Sequence, residues 1–221
     1  MIVASVTDPA TISLGESVAA LVDADGTGNA GWPTALAYPG APLRDLADAV
    51  HNLCALHGMA PSIIEQASEA PGPDELRGWL RTTAIAFDEE RTLLAALVAA
   101  VGPLPSTPGQ AQSEATVLAQ QHALAMLAVS DRVGCAAGAA AAFLLDWSAI
   151  RRILALAGDR VGMRLPPSPL PRASAVIAAL STLGDASGTQ RAVTFGAQQL
   201  LAQHRGLWEL LDARASARRG N

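Results

Sequence analysis

Residues 191–213 read RAVTFGAQQLLAQHRGLWELLDA, and the spacing within this stretch decides the fold class. A helix advances about 100° per residue, so Val193, Ala197, Leu200, Leu201, Trp208 and Leu211 fall on one face. His204 lies at the centre of that face, while Arg205, Glu209 and Asp212 fall away from it. An imidazole inside an apolar stripe needs a hydrogen-bond partner, a metal or a chemical task. The segment therefore predicts both a helix and a residue of functional interest.

The same period recurs along the chain. It predicts helices over Ile12–Val22, Leu43–His57, Pro61–Ala67, Asp74–Val101, Gly109–Val129, Arg132–Ala157, Ala173–Leu183 and Arg191–Ala213. Gly58 and Gly102-Pro103 supply stops, and Ser106-Thr107-Pro108 and Ser130-Asp131 supply caps. The pattern leaves open whether Gly109–Ala157 is two helices or one kinked helix. Gly31–Pro42 and Leu165–Pro171 are too rich in Gly and Pro for helices and read as loops, and residues 214–221 read as a frayed tail. Alternating strand patterns are not sustained anywhere. The expectation is an all-α, compact bundle of about six to eight helices, forming a single domain over residues 1–221.

Composition supports this reading and removes several function classes. Half of the residues are apolar and 16% are charged, which is globular rather than disordered usage. A net charge of -5 disfavours nucleic acid as a partner. All 15 basic residues are arginine, so lysine Schiff-base chemistry and a lysine-bearing phosphate loop are excluded. Cys54 and Cys135 lack CxxC spacing and read as buried free thiols. The N-terminus lacks the features of a leader, and no apolar run is long enough to cross a bilayer. The expectation is a cytoplasmic protein without a membrane partner, whose partner is a small-molecule substrate; a homodimer is allowed.

Five predicted helices each carry one ionisable residue on an apolar stripe: His57, Glu90, Glu114, Asp146 and His204. His57 follows Leu46, Val50 and Leu53, and Glu90 lies among Phe87, Leu93, Leu94, Leu97, Val98 and Val101. Glu114 aligns with Val117, Leu118, Gln121, Leu124, Ala125 and Ala128, with His122 on the flank. Asp146 falls within the arc of Cys135, Ala139, Phe143, Trp147, Ile150, Ile153 and Leu154. His51 and Asp48 lie on the opposite face of their helix, close enough for a surface contact. If the five stripes face one another, two imidazoles and three carboxylates meet in one core.

Two kinds of chemistry fit such a cluster. In the first, His57, Glu90, Glu114, Asp146 and His204 hold a divalent iron, manganese or zinc ion, as facing helices do in bundle metal sites, and the protein is a metal-dependent oxidoreductase of the oxidase or oxygenase kind. The chain contains neither ExxH nor HxxxH, the local spacings that favour such a centre. In the second, no cofactor is needed. His57, Glu114, His122, Asp146 and His204 then supply acids and bases for a lyase or isomerase, and Trp147 and Trp208 wall a pocket for a small, flat organic substrate. A GxSxG nucleophile motif is absent. Gly134 and Gly138 are spaced to let two helices approach closely. The alternative from another class is a non-catalytic helical interaction or regulatory module, docking through its apolar stripes and Pro-rich segments.

Two stretches, HNLCALHG at His51–Gly58 and PSTPGQAQSEATVLAQQHAL at Pro105–Leu124, resemble segments of an uncharacterised alphaproteobacterial protein family. The resemblance implies a compact helical cytoplasmic protein and no particular reaction. It draws attention to His51, Gln112 and His122.

Overall fold

A computed structural model describes residues 12–220. The residues read as lacking a leader, 1–11, lie outside the described residues, as does Asn221. The described chain is all-α, with no strand. In chain order the helices are α1 (Leu14–Asp25), α2 (Gly31–Leu36), α3 (Leu43–His57), α4 (Ile63–Glu69), α5 (Asp74–Val101), α6 (Gln110–Ala128), α7 (Cys135–Arg160), α8 (Ala173–Leu180) and α9 (Ser187–Arg219). Short 3-10 turns at Thr27–Asn29 and Ser181–Leu183 follow α1 and α8.

The core is organised around α7. From Cys135 to Leu144 every residue of this helix is buried, so it has no solvent face over that stretch. A helix apolar all round must be surrounded, and α7 touches α1, α3, α4, α5, α6, α8 and α9. Its alanines let neighbours come close. The tightest approach is to α9, where backbone meets backbone. A Cβ on Gly138 would stand 2.1 Å from the Val193 carbonyl oxygen, and one on Gly196 would stand 2.0 Å from that of Cys135. The close crossing expected of Gly138 is therefore present, with Gly196 as its counterpart on α9.

Several sequence expectations need correction. Part of the Gly31–Pro42 stretch is helical, because Pro33 sits in the first turn of α2, where a missing N–H costs nothing, and Leu36 is buried below it. Helix α1 continues past Val22 to Asp25 and starts from a capping box between Ser13 and Glu16. Gly109–Ala157 forms two separate helices. Ser130-Asp131 does not start the second; Gly134 does, with φ of 94° at the N-cap position. Cys135 is buried as expected, but Cys54 is only half-buried.

The expected frayed tail is the largest correction. Helix α9 runs through to Arg219 because buried Arg214 and part-buried Arg218 hold its end. Arg214 Nε donates to both carboxylate oxygens of Asp48 at 3.1 and 3.0 Å, and its Nη2 donates to Oδ1 at 2.9 Å. Arg218 Nη1 reaches Asp48 Oδ2 at 2.6 Å, and Nη2 reaches Asp45 Oδ1 at 2.8 Å. Asp48 thus faces α9 inside the protein rather than meeting His51 on the surface. His51 Nε2 instead pairs with the Gly102 carbonyl, 2.8 Å away, where α5 ends.

Candidate functional site

The α7–α9 crossing sets Asp146 and His204 side by side, since both helices turn those residues inward and each is 1% exposed. The last turn of α3 brings His57 to the same point, and the 3-10 turn after α1 brings Thr27. Asp146 Oδ2 lies 2.6 Å from His204 Nδ1. Its Oδ1 accepts from the Thr27 backbone N–H at 2.7 Å, and Oδ2 accepts from the Thr27 hydroxyl at 2.6 Å. Trp208 Nε1 donates to that hydroxyl oxygen at 2.9 Å. On the far side of the ring, His204 Nε2 lies 3.1 Å from His57 Nε2. A continuous chain results: Thr27, Asp146, His204, His57.

The surroundings fix charge states. Burial pushes the Asp146 carboxyl upward, but the hydrogen bonds from His204 and Thr27 outweigh it and hold the group below its ordinary range. Asp146 is therefore a carboxylate at neutral pH. Burial, and secondarily the neighbouring His204, hold His57 well below the usual imidazole value, so its ring is neutral. An ionised Asp146 requires a proton on His204 Nδ1. His204 Nε2 and His57 Nε2 share one proton across their contact. His57 Nδ1 is the nitrogen left without a partner among the described residues.

His57 also lines a cavity of about 350 Å³. Phe87 and Phe143 wall it, together with Leu56, Ile63 and Leu124, while Ser62, Gln66 and Gln121 supply neutral polar groups. Phe143 packs against the His57 ring at 5.0 Å between centroids, and Trp147 meets the same ring edge-on at 5.8 Å. The buried chain thus ends at a place a small molecule can reach.

The structure brings together three of the predicted site residues: His57, Asp146 and His204. It does not bring in the others. Glu90 is buried behind Trp147, where it accepts from Trp147 Nε1 at 3.2 Å and Ser168 Oγ at 2.7 Å and pairs with Arg151 at 3.1 Å. Glu114 is exposed and accepts from Gln110 Nε2 at 2.8 Å. His122 and Gln112 are exposed as well. The error on α6 is one of phase. Val117, Leu124 and Ala128 are buried as expected, but the buried face continues through Ser113, Gln120 and Leu127, whereas Glu114, Leu118 and Ala125 face water, with Leu118 65% exposed.

The five-residue metal set is accordingly not assembled. Asp146 and His57 hold opposite edges of the His204 ring, so they do not converge on one ion. Among the described residues no three His, Cys, Asp or Glu side chains are placed to hold a metal. Thr27 was invisible to stripe reading because it sits in a turn, within Gly26-Thr27-Gly28. Gly26 is part of the same fit: a Cβ there would stand 2.7 Å from Asp146 Oδ1.

The fold and the site together define an all-helical bundle enclosing a carboxylate–imidazole–imidazole chain that opens onto an apolar cavity. Residues 22–219 match the family of unknown function DUF6975, and the chain belongs to that family. Both stretches that carried the resemblance, residues 51–58 and 105–124, fall inside the matched span. No curated protein and no solved structure matches the chain. Among the described residues, no helix is long and apolar enough to cross a membrane.

Proposed function

We propose that this protein is an enzyme that moves a proton on a small organic molecule held in the cavity, as a lyase or isomerase working by general acid–base catalysis. The single observation that carries this reading is the unbroken Asp146–His204–His57 chain ending at the cavity. His57 Nδ1 takes a proton from a carbon or oxygen of the substrate. The proton on His57 Nε2 passes to His204 Nε2, and the resulting imidazolium lies against the Asp146 carboxylate, which stabilises it. Positive charge is thereby moved one residue inward, to where a countercharge already waits. Reversal delivers the proton to a different substrate atom, giving isomerisation. If the electron pair left on the substrate instead expels a leaving group, the result is elimination. Trp208 and Thr27 keep Asp146 aligned, so little reorganisation accompanies the transfer. Two unpaired thiols accord with a reducing compartment, and we place the enzyme in the cytoplasm.

The test is hydrogen exchange. Purified protein in D2O is incubated with small ketones and the loss of α-protons is followed by NMR. The expected result is exchange that slows by about 10²-fold or more in His57→Gln and His204→Gln variants that remain folded by circular dichroism. Equal rates in the wild type and in folded His57→Gln would remove the proposal.

A further inference from the structure

The cavity has apolar walls and carries no fixed charge. Of the side chains lining it, none is Asp, Glu or Arg, and the single ionisable group is His57. The imidazole is itself held neutral by burial. Outside the lining, Arg91 Nη1 pairs with Glu65 at 2.9 Å and its Nη2 pairs with Asp88, so this cation is taken up by carboxylates that do not line the cavity. The polar groups offered inside are amides and a hydroxyl, those of Gln66, Gln121 and Ser62. These hydrogen-bond without charge, and each is already partly engaged: Gln66 with the Pro61 carbonyl, Gln121 with that of Ala55, and Ser62 with the Glu65 N–H.

An ion entering this space would leave water with no countercharge to meet it, a cost of several kcal/mol per charge. A neutral molecule with one carbonyl or hydroxyl loses far less and finds a neutral partner. The volume, about 350 Å³, lies at the small end of small-molecule sites. Phe87 and Phe143 both line the cavity and meet each other edge to face at 82°. That is a suitable seat for a flat ring.

Taking the proton-transfer reading of His57 as its basis, we propose that the substrate is an uncharged, largely hydrocarbon molecule of about one aromatic ring, bearing a single carbonyl or hydroxyl beside the proton that is moved. Carboxylates, phosphates and ammonium compounds are excluded from the site.

Three probes of matched size separate the cases: phenylacetone, phenylacetate and phenethylammonium. Each is titrated into the full chain while the His57 ring-proton shift is followed by NMR, and α-exchange of the ketone is followed in D2O. The expected result is a His57 shift with phenylacetone at concentrations at least about tenfold below those needed for either ion. A Gln121→Arg variant, which puts a cation in the wall, is expected to raise phenylacetate affinity at least about tenfold. Binding of either ion as tightly as the ketone overturns the proposed substrate class, as does an unchanged His57 shift with all three probes. The two readings fail differently. Ketone binding without α-exchange supports the neutral cavity and removes proton transfer. Preferred binding of phenylacetate by a protein that still exchanges ketone α-protons removes the substrate class alone.

Discussion

His57 and His204 face each other through their Nε2 atoms, 3.1 Å apart, with ring planes 77° from parallel. One proton serves that contact, and its owner is decided at the other edge of His204, by Asp146. Nitrogen-detected NMR of labelled protein at neutral pH should show His204 protonated at Nδ1 and His57 protonated at Nε2. In Asp146→Asn the amide can present its N–H₂ to His204 Nδ1, turning the ring to the opposite tautomer. Activity should then fall by about 10²–10⁴ while the fold persists. A wild-type spectrum with the His57 proton on Nδ1 would contradict this assignment.

Stability should depend on pH through the same groups. Above about pH 6.5 His57 is neutral in both the folded and unfolded chain and adds no pH dependence. Below that value the unfolded chain takes up a proton that the folded chain refuses. Stability should therefore fall as pH falls, by up to about 1.4 kcal/mol per pH unit, until the depressed folded value is reached. Asp146 adds a second loss at lower pH, because its carboxyl is held below the ordinary 3.8 when folded and must be protonated on acid unfolding. Urea midpoints between about pH 2 and 8 check both losses, that of His57 below about 6.5 and that of Asp146 below about 3.8. Replacing His57 with Phe should flatten the upper part of the slope.

The α7–α9 crossing should tolerate no added atom. Gly138→Ala and Gly196→Ala each drive a methyl into backbone oxygen rather than into a side chain that can turn aside. Each should cost at least about 2 kcal/mol by chemical denaturation. Activity should fall with stability, because these two helices carry Asp146 and His204. Gly78→Ala, with nothing within 4 Å of the added carbon, is the control and should be neutral or stabilising.

The end of α9 should be indispensable. Arg214→Ala leaves Asp48 buried against a single remaining arginine, Arg218. Loss of one partner from a buried charge network costs about 3–5 kcal/mol. Deletion after Ala213 removes both arginines and should abolish cooperative unfolding, as judged by calorimetry. A fully cooperative truncated protein would show that the network contributes little.

Periodicity made the long helices legible: α3 and α5 match their expected bounds, and the inward turns of His57, Asp146 and His204 follow from the spacing around them. These stripes were wide and contained large side chains. Helix α6 was misread because its alanines and isolated leucines mark two faces almost equally, so a rotation by one residue exchanged Ser113 for Glu114. The role of Thr27 was out of reach for another reason. Its partner Asp146 lies 119 residues away, and no local pattern records a contact of that range. The final turns of α9 looked like a tail because their arginines are polar, and only the two acids of α3 make them interior residues.

Trp208 and Thr27 touch across 181 positions of sequence. The proposed site is thus stitched from the turn after α1 and from α9, with His57 and Asp146 contributed between them. On a ribosome, no nascent intermediate can own a finished centre until α9 has emerged from the exit tunnel. Proteolytic fragments lacking either segment inherit the same incapacity.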